Sequence, residues 1–168
     1  MKAVLETERL LLRHVTIDDV DDLLGIFSDP ETMRYYAATR DRVATIQWID
    51  RIVKSYSEYG FGPWAVVRKD TAQFVGHCGV ILQRDVAGCD ELEIGYAVQR
   101  EQWNLGFATE AAIGCRNFGF TDLDRRHLVS LIDPGNVASK RVAEKVGMSL
   151  EKEIDRWGKR IRVYGIAR

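Results

Sequence analysis

The sequence has little sulfur or imidazole chemistry to offer. Its three cysteines, Cys78, Cys89 and Cys115, are an odd number without a Cys-x-x-Cys spacing. Neither a disulfide framework nor a zinc site is expected, and a reducing cytoplasm fits. The three histidines, His14, His77 and His127, are scattered without metal-ligand spacing, so no metal is expected. Charge of one sign is also lacking: the formal net charge is −1, which argues against a nucleic-acid binder that relies on a broad basic surface. No apolar run approaches the ~20 residues of a membrane span, and Met1–Glu6 has no long apolar core of a secretory signal. The glycine fingerprint of dinucleotide folds is missing, as is the Gly-Lys-Ser/Thr of a Walker loop. No repeat, low-complexity segment or linker is present. What remains is 168 residues, 46% hydrophobic and 29% charged, which suits one soluble globular domain over 1–168 with a sizeable core.

The most informative stretch is Glu91–Phe120. It opens with period-2 alternation, Leu92, Ile94, Tyr96 and Val98 on one face and Glu93, Gly95 and Ala97 on the other, which predicts a strand. It closes with Ala108, Ala111, Ala112 and Cys115 at helical spacing. Between them lies Trp103-Asn104-Leu105-Gly106-Phe107-Ala108. Gly106 permits close backbone approach, and a helix N-terminus presents unpaired N–H groups and a positive dipole end. Together these suit a phosphate; an ordinary turn between strand and helix has the same outline.

Around this stretch the pattern predicts a first strand over Arg9–Val15, then a helix beginning near Asp18 with Thr16 as its cap. Pro30–Met33 suggests a short helical turn. Residues 42–59 predict an amphipathic helix with Ile46, Ile49, Val53 and Tyr56 as a stripe, widened by Ile52 and Tyr59. That stripe serves core packing or walls a ligand site. Trp64–Arg68 and Phe74–Leu82 read as a hairpin, Arg84–Asp90 as a polar turn, and Glu91–Val98 as the central strand. His127–Ile132 reads as a strand, and Asn136 caps a helix Val137–Val146 that Gly147 ends. Met148–Trp157 and Lys159–Ala167 read as a closing hairpin about Gly158. The order implies an α/β or α+β fold with a mixed sheet.

These segments resemble a family. Trp103-Asn104-Leu105-Gly106-Phe107-Ala108 is similar to the pyrophosphate motif of GNAT-superfamily acetyltransferases, with Trp103 where the broad motif has Arg or Gln. Asn136-Val-Ala-Ser139 with Glu144-Lys145-Val146-Gly147-Met148, and Thr7-Glu8-Arg9-Leu10-x-Leu12-Arg13, resemble further signatures of its RimJ/RimL-type branch. The resemblance spans nearly the whole chain. It implies a mixed, mostly antiparallel central sheet with flanking helices and a splayed central strand pair. It also implies acetyl-CoA as cofactor and an amine substrate. Peptide or protein N-termini, polyamines, amino acids and antibiotics are all acceptors within the family. Neither nucleic acid nor membrane is expected as a partner, and homodimers are common among relatives.

What the resemblance implies for individual residues follows the chemistry of acetyl transfer. The donor must be held, its carbonyl polarised, the amine kept neutral and the thiolate stabilised. The backbone of Asn104, Leu105, Gly106, Phe107 and Ala108 would face the pyrophosphate. The backbone at Ala97 and Val98 would pair with pantetheine, with the Val98 N–H on the carbonyl. Asn136, Ser139, Lys140 and Arg141 lie near the expected thiol, phosphate or adenine; for Lys140 and Arg141 a solvated helix face is the other reading. Glu93 is the candidate general base, because a half-buried cleft raises a carboxyl pKa; pairing with an Arg or Lys is the alternative. The tyrosine that many members carry on the last helix is replaced by Ala143, which leaves Ser139 as the hydroxyl near the leaving thiolate. A catalytically silent acyl-CoA-binding module would keep the 103–108 loop and have no need of Glu93.

Overall fold

The computed structural model describes residues 3–168. Eight strands form one sheet in the order β1-β2-β3-β4-β5-β6-β8-β7. The chain begins with β1 (Ala3–Glu6) and β2 (Leu10–Arg13), paired antiparallel. The sequence reading had a single strand here, over Arg9–Val15. Thr7–Arg9 instead turn the chain, with the Thr7 N–H and hydroxyl both directed at the Leu10 carbonyl.

A 3₁₀ turn at Ile17–Asp19 leads into α1 (Val20–Phe27). Asp19 accepts the Thr16 N–H at 2.8 Å and pairs with Arg13 at 2.5 Å, both side chains largely buried. Pro30–Met33 forms turns and no helix, since Asp29 binds the Thr32 N–H and hydroxyl and tightens the segment locally. Then comes α2 (Arg42–Tyr59), capped by Asp41 through the Ala44 N–H at 2.8 Å and ended by Gly60 at φ 78°. Its limits are those predicted, but its inner face differs. Thr45, Trp48 and Ile49 are buried, whereas Val53 is 44% and Tyr59 36% exposed.

The hairpin β3 (Pro63–Arg68) and β4 (Phe74–Val86) continues antiparallel into β5 (Cys89–Val98). Arg84–Asp90, expected as a polar turn, is mostly ladder. The reversal is made by Ala87 and Gly88 alone, both at positive φ (53° and 90°), as two-residue hairpins require. The Arg84–Asp90 ion pair, 2.5 Å, and the Asp85 N–H on Asp90 hold the strands together up to it. A 3₁₀ turn, Arg100–Gln102, precedes α3 (Phe107–Thr121). Then follow β6 (His127–Ile132), α4 (Val137–Val146), β7 (Ser149–Arg156) and β8 (Lys159–Ala167). The last hairpin turns on Trp157 and Gly158 (φ 54° and 73°).

The sheet is mixed because β5 and β6 are parallel, and they are paired at a single register position, Glu93 with Val129. Every other neighbouring pair is antiparallel. One face of the sheet packs on α3 and α4 through Leu10, Leu12, Val66, Val80, Leu92, Ile94, Phe107 and Leu128. The other packs on α1 and α2 through Leu23, Ile26, Phe27, Trp48, Ile49 and Ala97. The alternation along β5 thus sends Leu92 and Ile94 to one layer and Ala97 to the other, as the period of 2 predicted.

Candidate active site

The splay between β5 and β6 follows from hydrogen bonds that can be traced atom by atom. The Gln99 N–H donates to the Val75 carbonyl, which makes Gly76–Val98 a non-hydrogen-bonded pair of the antiparallel ladder. The even residues Leu92, Ile94, Tyr96 and Val98 therefore turn their backbone groups away from β4, toward β6. Ala97, expected to pair with pantetheine, instead turns its backbone groups to His77 on β4, so that Tyr96 and not Ala97 shares the β6 side with Val98. On β6 the Arg168 N–H on the Arg126 carbonyl likewise directs His127, Val129 and Leu131 toward β5. The next ladder bond past Glu93–Val129 would run from the Leu131 N–H to the Ile94 carbonyl. Both groups are diverted. The Leu131 N–H donates to Glu93 Oε1 at 3.3 Å, and the Ile94 carbonyl accepts the Ser130 hydroxyl at 2.8 Å. Pairing stops there, and β5 presents the Tyr96 N–H and carbonyl and the Val98 N–H as an open backbone edge. The Val98 carbonyl is taken by the Trp103 indole N–H at 2.8 Å.

Trp103 thereby fixes the start of the loop to the end of the strand. Asn104 and Gly106 then take positive φ (62° and 82°), and Gly106 is the N-cap of α3. The first helical bond runs from the Glu110 N–H to the Gly106 carbonyl, so the N–H groups of Phe107, Ala108 and Thr109 have no partner within the helix. A Cβ at Gly106 would meet Arg9 Nη2 at 3.4 Å. Among the described residues, the left-handed backbone is therefore what calls for glycine, more than a close approach. Glu110, in the first turn, would oppose an anion there, but Thr7 and Arg9 hold it aside. Its carboxylate accepts the Thr7 hydroxyl at 2.5 Å, the Arg9 N–H at 2.8 Å and Arg9 Nε at 2.6 Å. Arg9 also donates to the Leu105 carbonyl at 3.1 Å and lies over the Phe107 ring. The sequence reading had Arg9 only as part of an opening strand; its contact with the loop is nearly a hundred residues away in sequence.

Glu93 is 9% exposed. Burial raises its pKa, opposed by the hydrogen bonds from Gln83 Nε2 (2.6 Å) and the Leu131 N–H. Among the described residues, no Arg or Lys pairs with it directly. Arg156 acts one step removed, donating to Gln83 Oε1 at 3.1 Å. The Tyr36 pKa is raised, by burial of its hydroxyl first and then by the charge of Glu93, although the residue as a whole is 49% exposed.

Ser139 sits in the first turn of α4, its N–H on Asn136 Oδ1 at 3.0 Å. Its carbonyl accepts the Tyr96 hydroxyl at 2.9 Å, a tie from β5 to α4 across the splay that the sequence reading did not include. Ala143, where many family members carry tyrosine, is buried. Lys140 reaches Glu144 at 3.6 Å on the exposed side of α4.

An open backbone edge leading to an uncapped helix N-terminus fits an elongated ligand with an amide-bearing arm and a phosphate end, which is the build of acetyl-CoA. The chain matches the family model of the acetyltransferase (GNAT) domain over residues 9–149. It is 39% identical over 164 residues to the uncharacterized protein YkkB of Bacillus subtilis (strain 168), covering 97% of this chain and 95% of that one. To the uncharacterized N-acetyltransferase YoaA of the same organism it is 30% identical over 155 residues, covering 90% and 85%. Among solved structures, an acetyltransferase from Agrobacterium tumefaciens str. C58 matches with TM-score 0.87 at 24% identity, covering 100% of this chain and 95% of that one. RimL, a ribosomal L7/L12 α-N-protein acetyltransferase in complex with coenzyme A, matches with TM-score 0.77 at 14% identity, covering 99% and 98%. At those identities the two structures speak for the fold. The chain belongs to the GNAT acetyltransferase family, whose acetyl donor is acetyl-CoA.

Proposed function

We propose that the chain acetylates a primary amine by direct attack in a ternary complex, and that Glu93 receives the amine's proton, directly or through a water. The observation that carries this reading is that a buried carboxylate and the open backbone edge belong to one strand, with Glu93 itself ending the ladder. Proton acceptor and donor-binding edge are thus fixed relative to each other by β5. Burial raises the Glu93 pKa, toward the range a general base needs at neutral pH.

The other roles follow from position. The Tyr96 and Val98 backbone groups pair with the amide arm of the donor, and the Val98 N–H meets the thioester carbonyl, where a fixed donor stabilises developing charge. The N–H groups from Asn104 to Ala108 receive the pyrophosphate, with Gly106 holding the loop and Trp103 anchoring it. Asn136 caps α4, and Tyr96 holds the Ser139 carbonyl, so the Ser139 hydroxyl is presented to the departing thiolate as a hydrogen-bond donor. Lys140 reaches the outer phosphate end.

An α-amino acceptor suits this machinery. With a pKa of about 7.7–8.0 it is already about a tenth neutral at pH 7, whereas a lysine is neutral in only about one molecule in 2,500. The RimL neighbour, an α-N-protein acetyltransferase by name, is consistent with an N-terminal amine and with the RimJ/RimL branch. The test is a thiol-release assay over N-terminal peptides and small amines, alongside isothermal titration with acetyl-CoA. Turnover of at least one α-amine is the expected result. Acetyl-CoA binding without turnover of any amine would make the chain a binding module.

A further inference from the structure

Nearly every half-buried arginine of this chain is answered. Arg13 pairs with Asp19, Arg68 with Asp70 and Arg162 with Glu153. Arg116 donates to the Val146 carbonyl, and Arg156 to Gln83 and to the carbonyls of Arg84 and Asp85. Arg40 is the exception: among the described residues it is the half-buried arginine whose guanidinium has no hydrogen-bond or ion-pair partner. Only its backbone N–H is used, on the Phe27 carbonyl at 2.7 Å. The guanidinium carbon lies 4.6 Å from the centre of the Phe27 ring. Burial and the nearby Arg51 both oppose its charge, and among the described residues Arg51 has no carboxylate partner either. A partly desolvated cation beside a second cation is costly unless an anion completes it.

Its place ties it to the reaction. Phe27 packs on His77 with ring centres 5.7 Å apart. His77 faces Ala97 across the β4–β5 ladder, one residue from the open Val98 N–H and on the same sheet face as Glu93. His77 offers no charge: burial, then Arg40, holds its pKa down to about 3, and its Nδ1 has no partner. Tyr36, four residues before Arg40, is near enough for the Glu93 charge to raise its pKa. The segment is held over this face by Lys159 Nζ, which donates to the Tyr35 carbonyl at 2.5 Å and to Asp133 at 2.8 Å. The unanswered guanidinium thus lies over Phe27, against His77, on the sheet face that also carries Glu93.

We propose that the acceptor amine carries a carboxylate, which the Arg40 guanidinium binds. This rests on the amine-acetyltransferase reading above. A guanidinium lying over a ring keeps its N–H donors along its own edge, and a carboxylate meets such an edge with two parallel hydrogen bonds. Two sources share this chemistry, the α-carboxylate of a free amino acid and an acidic side chain next to a peptide's N-terminal amine.

The test uses matched acceptors on the full chain: a free amino acid against its amide, and a short C-terminally amidated peptide with Asp at its second position against one with Asn. Thiol release gives KM and kcat for each. The carboxylate member of at least one pair is expected to win by roughly 10–100-fold in kcat/KM, mostly through KM, the scale of a hydrogen-bonded charge pair. Which pair shows the preference identifies the source. Arg40→Gln should abolish the preference, Arg40→Lys should retain part of it, and acetyl-CoA affinity measured by titration should not move. Equal rates within both pairs in the wild type, or a preference that survives Arg40→Gln, would overturn the inference while leaving amine acetylation standing. If no amine in either pair is turned over although acetyl-CoA binds, both the inference and the amine-transfer reading fall.

Discussion

At the scale of single residues, Glu93 has two jobs with opposite consequences. Its carboxylate takes the Leu131 N–H out of the β5–β6 ladder, which helps open the edge on which the donor rests. Its burial also makes the ionised form expensive. The variant Glu93→Gln separates the two, since Gln can still accept the Leu131 N–H but cannot take a proton. We expect kcat/KM to fall by roughly 10²–10⁴-fold, the usual contribution of general-base catalysis. The loss should shrink as pH rises toward the amine's own pKa, and acetyl-CoA affinity should be retained. Stability should move the other way. A carboxyl whose folded pKa is raised contributes fully below its unfolded pKa, about 4.3, and loses that contribution as pH rises through the folded value. Relative to the wild type, Glu93→Gln should therefore gain in melting temperature from mildly acidic to alkaline pH. A stability difference independent of pH would show that the carboxyl is not carrying this cost.

At the scale of elements, the loop between β5 and α3 is held from three sides, by Trp103 on Val98, by Arg9 on Leu105 and by the left-handed turn at Gly106. Gly106→Val should cost about 1–2 kcal/mol of stability for a branched residue at positive φ, which denaturant unfolding would measure. Its larger effect should be on acetyl-CoA, with affinity in titration falling at least tenfold because the helix N-terminus is re-aimed. Unchanged affinity in a folded variant would remove the loop from the phosphate site. Trp103→Phe keeps the ring and deletes the Nε1 donor to Val98. A weaker loss, of a few-fold, is expected, since one hydrogen bond contributes about 0.5–1.5 kcal/mol. The elements themselves were largely legible because their signals are local: an apolar stripe marks α2, Asn136 and Gly147 bracket α4, and the alternation from Leu92 to Val98 fixes both faces of β5. Two kinds of feature were not. Short or strongly polar strands, such as β1 and the Arg84–Asp90 end of the β4–β5 hairpin, owe their pairing to neighbours and carry no periodicity of their own. Contacts that cross the fold, such as Arg9 with Glu110, Tyr96 with Ser139, and Glu93 with Leu131, depend on register and packing. The same holds for Trp48, absent from the expected stripe of α2 yet packed edge-on against Phe27.

At the scale of the whole molecule, β6, β8 and β7 connect to the rest of the sheet only through the weakly paired β5–β6 seam, and side chains reinforce that seam. The edge strand β7 carries Glu151, Lys152, Glu153 and Asp155, charges that discourage pairing with another chain. One of them reaches inward. Glu151 extends over β8 at Gly165, where a Cβ would stand only 2.1 Å from its Oε1, and meets His127 Nε2 at 2.8 Å. His127 Nδ1 meets Glu91 on β5 at 3.1 Å. The imidazole thus links β5, β6 and β7 on both sides of the seam. Burial opposes its charge, but the two carboxylates outweigh burial and raise its pKa. A raised histidine contributes fully below its unfolded pKa, about 6.5, and the contribution is lost as pH rises through the folded value. Glu93, also raised, loses stability in the same direction, so the wild type alone cannot separate them. The comparison belongs in the Glu93→Gln background, where the remaining decline as pH rises above the ordinary histidine range, about 6.5, should be reduced by His127→Gln. The two unfolding curves should differ most at the acidic end, where the histidine is charged, and converge at the alkaline end. Were the difference constant across that range, His127 would be holding the seam through packing and neutral hydrogen bonds, and the charged bridge between Glu91 and Glu151 would contribute nothing to it.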